Sequence, residues 1–236
     1  MTVSTISRPL SGNTLKIIAA IAMVLDHAGL MFFPQYSIFR ILGRLAYPIF
    51  AFMIAEGCHY TKNKLRYFLT VFLLGGICQA VYFIFCGDTY LNILLTFSFA
   101  IPLIYLLQLW KEKRNWVFMF PFAAAVTAAY LLDRYLTINY GFWGIMAPVL
   151  TALCYPNKGE KLKIGHHWLR VGLMGIGLIL IACVSHPIQY YSLLTLPLLL
   201  LYSGKRGKYN LKYGFYLFYP LHLVALQAIA WLLSMQ

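Results

Sequence analysis

Charged residues are scarce in this chain, and acidic residues are the scarcest. Asp, Glu, Lys and Arg make up only 11% of the 236 residues, and just six residues are Asp or Glu. A soluble protein has roughly 25% charged residues, so the mean hydropathy of +0.73 indicates a surface that mostly faces lipid. The strand-like alternation that a membrane β-barrel requires is lacking, and apolar runs of helix length recur instead. The sequence predicts an all-α, polytopic integral membrane helical bundle.

Cysteine is also sparse and lacks the spacing of a metal site or of a disulfide framework. No CxxC pair occurs among the five cysteines, which are Cys58, Cys78, Cys86, Cys154 and Cys183. Each is expected to pack as a small apolar residue. Glu56 and His59 have the spacing of metal ligands on one helical face, but no second histidine follows His59 by four positions. No metal is therefore expected.

Nine apolar stretches have the length of membrane spans, and turn residues separate them. They cover residues 15–34, 38–57, 65–86, 91–109, 115–133, 139–155, 168–184, 188–202 and 211–233. The eighth contains Pro197, which favours a kinked, tilted or partly re-entrant segment. No small-residue cleavage site follows the first stretch, so we expect a retained helix rather than a signal peptide. No linker or internal repeat interrupts the chain, which predicts a single domain over residues 1–236.

Basic residues are confined almost entirely to alternate loops. If the N terminus is cytosolic, every Lys and Arg except Arg40, Arg44 and Arg134 falls on the cytosolic side. That cytosolic set comprises Arg8, Lys16, Lys62, Lys64, Arg66, Lys111, Lys113, Arg114, Lys158, Lys161, Lys163, Arg170, Lys205, Arg206, Lys208 and Lys212. The asymmetry predicts an N-in, C-out orientation. It also accounts for the net charge of +13 through topology and lipid headgroups, without nucleic acid as a partner.

Lys16 and His27 form the most informative pair of residues. They lie eleven positions apart on the first span, and an advance of about 100° per residue brings them to the same helical face. The rise between them is about 16 Å, roughly half the hydrocarbon thickness of a bilayer. Lys16 would lie at one membrane surface and His27 near the midplane. Ionisable groups at that depth are candidate functional residues.

Further charged residues lie near His27 in the first two spans. Asp26 points about 100° away from His27, while Arg40 and Arg44 are four positions apart and share one helical face,. Arg44 lies one turn deeper than Arg40 and needs a partner, for which Asp26 is the natural candidate. The two guanidiniums are equally suited to a carboxylate, a phosphate or a developing oxyanion. Glu56 lies near the cytosolic end of the second span.

Polar residues also occur in the fourth and ninth spans. Asn92 and Thr96 share a helical face, which is typical of hydrogen bonds between membrane helices. Tyr219 and His222 flank Pro220, which is expected to kink the ninth span. A histidine in a broken membrane helix serves packing or lines a cavity, and both interpretations remain open.

Taken together, these segments resemble the TraX family, which is named for the protein that acetylates the N terminus of F-type conjugative pilin. The resemblance extends over nearly the whole chain and is carried by residues 15–27, 40–57, 92–96, 139–144 and 218–222. The family is similar in turn to the membrane acyltransferase-3 superfamily, in which a basic residue precedes the essential histidine by ten intervening residues. Lys16 and His27 fit that spacing. Arg40 and Arg44 depart from the superfamily pattern, in which two arginines are three positions apart.

The resemblance implies an acetyltransferase of the bacterial cytoplasmic membrane that uses acetyl-CoA as donor. The acceptor would be an amine or hydroxyl of a peptide, a glycan or a lipid. Lys16 would hold the CoA phosphates and His27 would act as general base. Catalytic roles are expected for His27, Asp26, Arg44 and Glu56, and contacts with substrate or cofactor for Lys16, Arg40, Asn92, Tyr219 and His222.

Two other classes of function are alternatives to an enzyme, and the sequence pattern fits the first of them better than the second. Polar residues on several spans and broken helices also suit a transporter or channel for a small solute, although no inverted repeat is evident. A structural or assembly protein would not need so many ionisable groups inside its spans. Tight binding of acetyl-CoA by the purified protein would distinguish the enzyme from both alternatives.

Overall fold

The computed structural model describes residues 8–87, 89–157 and 163–234, and these residues are helical or irregular without any strand. The α-helices are α1 (Gly12–Phe32), α2 (Ser37–Gly43), α3 (Ala46–Tyr60), α4 (Lys64–Cys86), α5 (Ile93–Lys113), α6 (Met119–Tyr135), α7 (Gly141–Leu153), α8 (Ile164–Val184), α9 (Leu196–Leu200) and α10 (Lys212–Ser234). Two 3₁₀ helices cover Trp116–Phe118 and Pro187–Thr195. The predicted all-α class is confirmed for this part of the chain.

Seven helices in the described ranges are long and apolar enough to cross a membrane. They are Gly12–Phe32, Ser37–Tyr60, Lys64–Ile84, Ile93–Lys113, Trp116–Tyr135, Ile164–Val184 and Tyr213–Leu233. The predicted count of nine is not confirmed. The sixth predicted span forms α7, which has only 13 residues and is about 20 Å long. The eighth consists of a 3₁₀ helix and the five-residue α9, each with a proline in its first turn.

Side-chain caps set the start of three long helices. Ser11, Asn63 and Asn92 each have extended backbone geometry and accept a hydrogen bond from an amide of the first turn,. At the other end of α4, Gly87 adopts the left-handed conformation with φ of 66°, which glycine tolerates without strain. Gly87 therefore sets the end of α4, and Asn92 sets the start of α5.

The second span is broken in its N-terminal half, where α2 gives way to α3. Gly43 closes α2 directly against Asp26 of α1, and a Cβ atom at Gly43 would overlap the Asp26 side chain. Only glycine permits this close approach of the two helices. The break places Arg44 at the junction between α2 and α3, with its side chain 7% exposed.

The core lies around α3 and α5, whose apolar side chains are almost completely buried. Phe52, Phe97, Ile101 and Ile104 each retain 1% exposure or less. In contrast, α6 exposes most of its residues, and Ala129 is the one it buries in the core. An all-round apolar helix on the periphery suits contact with lipid.

The described basic loops meet at one end of the bundle. The amide of Gly12 donates to the carbonyl of Lys205, which joins the start of α1 to the loop before α10. Lys62 and Lys111 line one cavity at this end, and Lys16 and Arg206 line another. We call this the basic end. Of the predicted cytosolic set, Lys158 and Lys161 lie outside the described residues. The N-in orientation remains a prediction from charge.

Candidate active site

A cavity of about 370 Å³ lies at the end of the bundle opposite the basic end, and we call it the chamber. Six of the predicted site residues line it, namely Asp26, His27, Arg40, Arg44, Asn92 and Tyr219. The chamber also contains Tyr82, Tyr140 and Gln189, which sequence reasoning did not single out. The first two spans, the start of α5 and the proline-containing α10 therefore contribute to one site.

His27 is held in a chain of hydrogen bonds that defines its tautomer. The Nδ1 atom of His222 lies 3.1 Å from the carbonyl oxygen of Phe218, and a carbonyl only accepts, so this nitrogen carries the proton. The Nε2 atom of neutral His222 is then an acceptor, 3.2 Å from Nδ1 of His27, which must donate. The remaining Nε2 of His27 is an acceptor that lies 3.0 Å from the hydroxyl of Tyr82. His27 thus presents a basic nitrogen toward the Tyr82 side of the chamber.

The His222 side chain bonds to a carbonyl of its own helix. Pro220 does not account for this bond, because the carbonyl that loses its usual helical donor to a proline lies four positions earlier, at Tyr216. The His222 side chain forms its bond on the same turn of α10, to the carbonyl of Phe218, and its ring stacks on that of Phe218 at a centroid distance of 5.1 Å. The predicted kink motif therefore contributes to the orientation of His27 rather than only to helix packing.

Asp26 binds both arginines of the second span. Its carboxylate lies 2.5 Å from Nη2 of Arg44 and 2.9 Å from Nη1 of Arg40. The predicted pairing of Arg44 with Asp26 is confirmed, and Arg40 joins the same carboxylate. Two guanidiniums on one carboxylate leave this part of the chamber with one excess positive charge. The Nη1 atom of Arg44 also lies 3.5 Å from the hydroxyl of Tyr140, at the limit of a hydrogen bond.

Tyr140 occupies a backbone conformation that is rare for a residue other than glycine. Its φ is 62°, in the left-handed region, and its ring stacks on Tyr47 at a centroid distance of 4.2 Å. Tyr47 in turn donates to the carbonyl of Gly144. The strained position turns the chain into α7 and fixes the phenol beside Arg44. The Asn-Tyr-Gly sequence is the signal for a turn here, but it does not reveal the chamber contact.

Asn92 has a structural role in addition to lining the chamber. It is 5% exposed, caps α5 through Oδ1, and donates through Nδ2 to the carbonyl of Gly75 at 2.8 Å. Gln79 accepts from both the amide and the side chain of Asn92. With its donors and acceptor engaged, Asn92 joins α4 to α5, and its predicted contact with substrate or cofactor stays a prediction.

Glu56 does not lie with His27 but in a separate group of side chains near the basic end, and its predicted catalytic role stays a prediction. It is 8% exposed and binds Nη1 of Arg170 at 2.9 Å. The hydroxyls of Tyr155 and Tyr202 also donate to it. Burial raises the pKa of Tyr202 above its ordinary value, so this phenol stays a neutral donor. The carboxylate is fully engaged near the basic end, about 14 Å along α3 from Tyr47 of the chamber.

Arg170 also departs from the prediction, because it is buried rather than part of a solvated basic loop. Its exposure is 1%, and its guanidinium lies over the rings of Tyr155 and Phe52 at 4.3 and 5.1 Å. His167 lies 3.2 Å from its Nη2 atom. We call Glu56, Arg170, Tyr155, Tyr202 and His167 the buried cluster. It joins α3 and α8 to the loops that follow α7 and α9.

Lys16 lines a cavity of about 530 Å³ at the basic end, together with Arg206 and Asn13. We call it the donor cavity. The ammonium of Lys16 lies 5.9 Å from the centre of the Phe215 ring. The cavity is open to the basic end and has two cations at its wall. Glu56 also lines it, but Arg170 holds that carboxylate, so the chemistry of the cavity suits an anionic ligand.

A narrow apolar cavity of about 130 Å³ lies between the donor cavity and the chamber, and we call it the neck. It shares Lys16 and Phe215 with the donor cavity and Phe50 and Tyr219 with the chamber. The three cavities therefore follow one another along α1 from Lys16 to His27. Tyr219 is 7% exposed and belongs to the wall between neck and chamber.

No group of three or more His, Cys, Asp or Glu side chains in the described ranges could hold a metal ion. Cys58, Cys78, Cys154 and Cys183 are free thiols, and the side chain of Cys86 lies outside what the structure describes. The polar groups in and around the chamber are imidazoles, phenols, side-chain amides and one carboxylate bound by two guanidiniums. Such a set suits proton transfer and the stabilisation of negative charge.

Comparison with known proteins identifies one family and two relatives. The family described as "TraX protein" matches residues 11–230. The "Probable fimbrial assembly protein FimC, serogroup H1" of Dichelobacter nodosus is 27% identical over 242 aligned residues, which cover 92% of this chain and 94% of that protein. An uncharacterized protein of Rickettsia prowazekii (strain Madrid E) is 40% identical over 67 residues, or 28% of this chain and 25% of that protein. No solved structure matches the chain.

Proposed function

Because the chain belongs to the TraX family, we propose that it is an integral membrane acetyltransferase that transfers an acetyl group from cytosolic acetyl-CoA to an amine or hydroxyl. The observation that carries the proposal is the succession of donor cavity, neck and chamber between Lys16 and His27. A cationic entrance, an apolar passage and a basic imidazole occur in the order that an acyl-CoA requires. The bacterial cytoplasmic membrane is the location that this proposal assigns to the protein.

Acetyl-CoA would enter from the basic end. Its phosphates are anionic, and Lys16 and Arg206 at the wall of the donor cavity supply cations for charge-assisted hydrogen bonds. The pantetheine arm is linear and would extend through the neck past Phe50 and Tyr219. The rise of about 16 Å from Lys16 to His27 matches a passage of this kind, with the thioester carbon placed in the chamber.

His27 would act as the general base. The acceptor amine or hydroxyl would displace Tyr82 from Nε2 of His27 and lose its proton to that nitrogen as it attacks the thioester carbon. A C–N or C–O bond forms, and the carbonyl oxygen becomes an oxyanion. Collapse of the intermediate breaks the C–S bond, and the proton on His27 passes to the departing CoA sulfur. The products are the acetylated acceptor and free CoA thiol, with no oxidant or further reactant.

Arg44 and Asp26 would supply the electrostatic part of the reaction. Arg44 holds Asp26 through Nη2 and contacts Tyr140 only at 3.5 Å through Nη1, so an Nη1 donor can turn toward the oxyanion. Asp26 offsets one of the two guanidinium charges and is the sequence neighbour of His27, where the imidazolium would form. Arg40, whose side chain is 30% exposed, would contact the acceptor at the open side of the chamber.

The acceptor would reach the chamber from the end opposite to the donor. The Dichelobacter relative is named as a fimbrial assembly protein, and the family takes its name from a pilin-acetylating protein. We therefore take the amino terminus of a fimbrial subunit as the first acceptor to test, followed by hydroxyls of glycans and lipids. The one excess positive charge beside Asp26 disfavours a protonated amine, as attack on the thioester requires.

Replacing Lys16 with glutamine should raise the KM for acetyl-CoA about tenfold and leave kcat nearly unchanged, because a charge-assisted bond to phosphate would be lost while the chamber stays intact. Steady-state kinetics with varied acetyl-CoA measure both constants. Lys113→Gln is the matched control, since Lys113 is exposed at the basic end and lines neither the donor cavity nor the neck. An equal effect of the two substitutions would argue against a phosphate contact at Lys16.

Replacing His222 with phenylalanine should lower kcat about 10- to 100-fold with little change in the KM for acetyl-CoA, because Nδ1 of His27 loses the acceptor that fixes its tautomer. His222→Gln offers a side-chain oxygen in place of Nε2 and should restore part of the rate. If His222 serves only in packing, His222→Phe and His222→Gln should differ from wild type in stability but not in kcat. Thermal unfolding of both proteins in detergent distinguishes these cases.

A solute transporter would also contain successive cavities. An experiment with vesicles distinguishes transport from acetyl transfer. Proteoliposomes are supplied with acetyl-labelled acetyl-CoA on the outside, with and without envelope extract from a fimbriated bacterium. The proposal predicts free CoA thiol and label fixed to an acceptor, both lost in a His27 variant. Intact labelled acetyl-CoA or another solute accumulating inside, without thiol release, would contradict it.

A further inference from the structure

A second cavity at the basic end lies beside the donor cavity. It has a volume of about 490 Å³, within the range of about 300–1,000 Å³ that small-molecule sites occupy. Tyr60 and Thr61 line both this cavity and the donor cavity, so the two are separated only by this short turn after α3. We call this second cavity of about 490 Å³ the side cavity. Nothing in the proposed chemistry at His27 uses it.

The small size of the neck determines which parts of acetyl-CoA would stay at the basic end. With a volume of about 130 Å³ and walls that include Phe50, Phe97 and Tyr219, it accommodates a linear pantetheine but not a nucleotide. If Lys16 and Arg206 hold the diphosphate at the entrance, the 3′-phosphoadenosine must lie outside the neck, on the face of the basic end. The side cavity is the adjacent space of suitable size.

The charge of the side cavity suits a phosphate. Lys62, Lys64 and Lys111 line it, against a single acidic residue, Glu112. Lys111 donates to the carbonyls of Leu153 and Tyr155 at 2.7 and 2.6 Å, so it is fixed to the end of α7. Lys62 and Lys64 lie on the exposed turn before and at the start of α4, where their ammonium groups can reach a ligand in the cavity.

The side cavity also presents aromatic surfaces. His59 stacks on Tyr155 at a centroid distance of 4.4 Å, and it meets Tyr60 edge-on at 4.7 Å. Tyr60 remains 56% exposed, so its ring is accessible to a ligand in the side cavity. A purine base stacks readily on rings of this kind. Exposed aromatic and basic groups side by side are the chemistry that recognises a nucleotide.

We propose that the side cavity binds the 3′-phosphoadenosine end of the donor, with Lys62 and Lys64 on the 3′-phosphate and Tyr60 against the adenine. The inference rests on the proposed function, because it assigns a further part of the same donor. It makes the protein selective for CoA over 3′-dephospho-CoA. It also gives the basic turn at residues 61–64 a role besides topology.

Equilibrium binding of CoA and of 3′-dephospho-CoA to the detergent-purified full chain tests the inference without an acceptor. Wild type should bind CoA about tenfold more tightly, which is the effect of losing charge-assisted bonds to one phosphate. In the double variant Lys62→Gln/Lys64→Gln the affinity for CoA should fall to that for 3′-dephospho-CoA, so the ratio approaches one. The control Lys113→Gln/Lys208→Gln removes the same charge from the basic end but lines neither cavity, and it should keep the ratio.

The outcomes separate this inference from the proposed function. If wild type binds both ligands equally, or if Lys62→Gln/Lys64→Gln keeps the preference for CoA over 3′-dephospho-CoA, the side cavity does not hold the 3′-phosphate. The proposed acetyl transfer is not affected by that result. A role of these lysines confined to lipid headgroups gives that result. If wild type binds neither ligand, the proposed donor and the inference both fail. Elution volume and thermal unfolding of each variant show that the comparison is made on folded protein.

Discussion

Replacing His27 with asparagine should lower the rate of acetyl transfer about 100- to 10,000-fold, the usual contribution of a general base. The effect follows from the position of Nε2. This nitrogen is the acceptor end of the chain that begins at the Phe218 carbonyl and passes through His222, and it lies 3.0 Å from the hydroxyl of Tyr82. Asparagine cannot take up a proton there at neutral pH.

The binding of CoA should remain close to that of wild type, because Lys16 and the donor cavity lie about 16 Å away. His186→Asn is the matched control. His186 is exposed and accepts from the amide of Ile188 at the start of a 3₁₀ helix, a capping role that asparagine fills well. Transfer rates are compared at saturating acetyl-CoA. Full activity of folded His27→Asn would show that another group is the base.

Replacing Arg170 with methionine should destabilise the protein by about 3–5 kcal/mol, the usual effect of breaking a buried ion pair. The side chains of Arg170 and Glu56 are 1% and 10% exposed, so Glu56 would keep its charge with only the hydroxyls of Tyr155 and Tyr202 to stabilise it. The double variant Glu56→Gln/Arg170→Met should lose much less than the sum of the single losses, because no buried charge is left unpaired.

Unfolding by SDS in mixed micelles gives the free energies for this cycle. Arg134→Met, a change at an exposed arginine of α6, should stay within about 0.5 kcal/mol of wild type. Strict additivity of the two single losses would contradict a direct interaction. If Glu56→Gln abolished acetyl transfer in a stably folded protein, Glu56 would be one of the catalytic groups despite its position in the buried cluster.

The sequence predicts the long helices and part of the chamber because both depend on local patterns. Apolar runs of about twenty residues mark the seven long helices, and helical spacing brings Lys16 and His27 to one face. The pairing of Arg44 with Asp26 was also predictable, since a guanidinium placed a turn inside a membrane helix needs a counter-ion. These inferences require only the geometry of one helix and the cost of a buried charge.

The errors concern contacts between distant segments and short helices. The sequence indicates how deep Glu56 lies along α3 but not which residues pack beside it. Its partner Arg170 is 114 positions away, and the charge pattern places Arg170 in a basic loop. Tyr82 meets His27 across 55 positions and carries no motif of its own. Pro197 predicts an irregular eighth span, but the sequence pattern does not reveal that most of this segment forms a 3₁₀ helix and that only five residues form α9.

The most direct test of the account is the release of CoA thiol from acetyl-CoA by the purified protein, followed with and without envelope extract and compared with His27→Asn. The account predicts acceptor-dependent thiol release by wild type, an equal amount of acetyl group recovered on an acceptor, and neither product with His27→Asn. If wild type releases no thiol with any extract and does not bind CoA, the transferase account is contradicted and a transport function becomes the better explanation of the cavities.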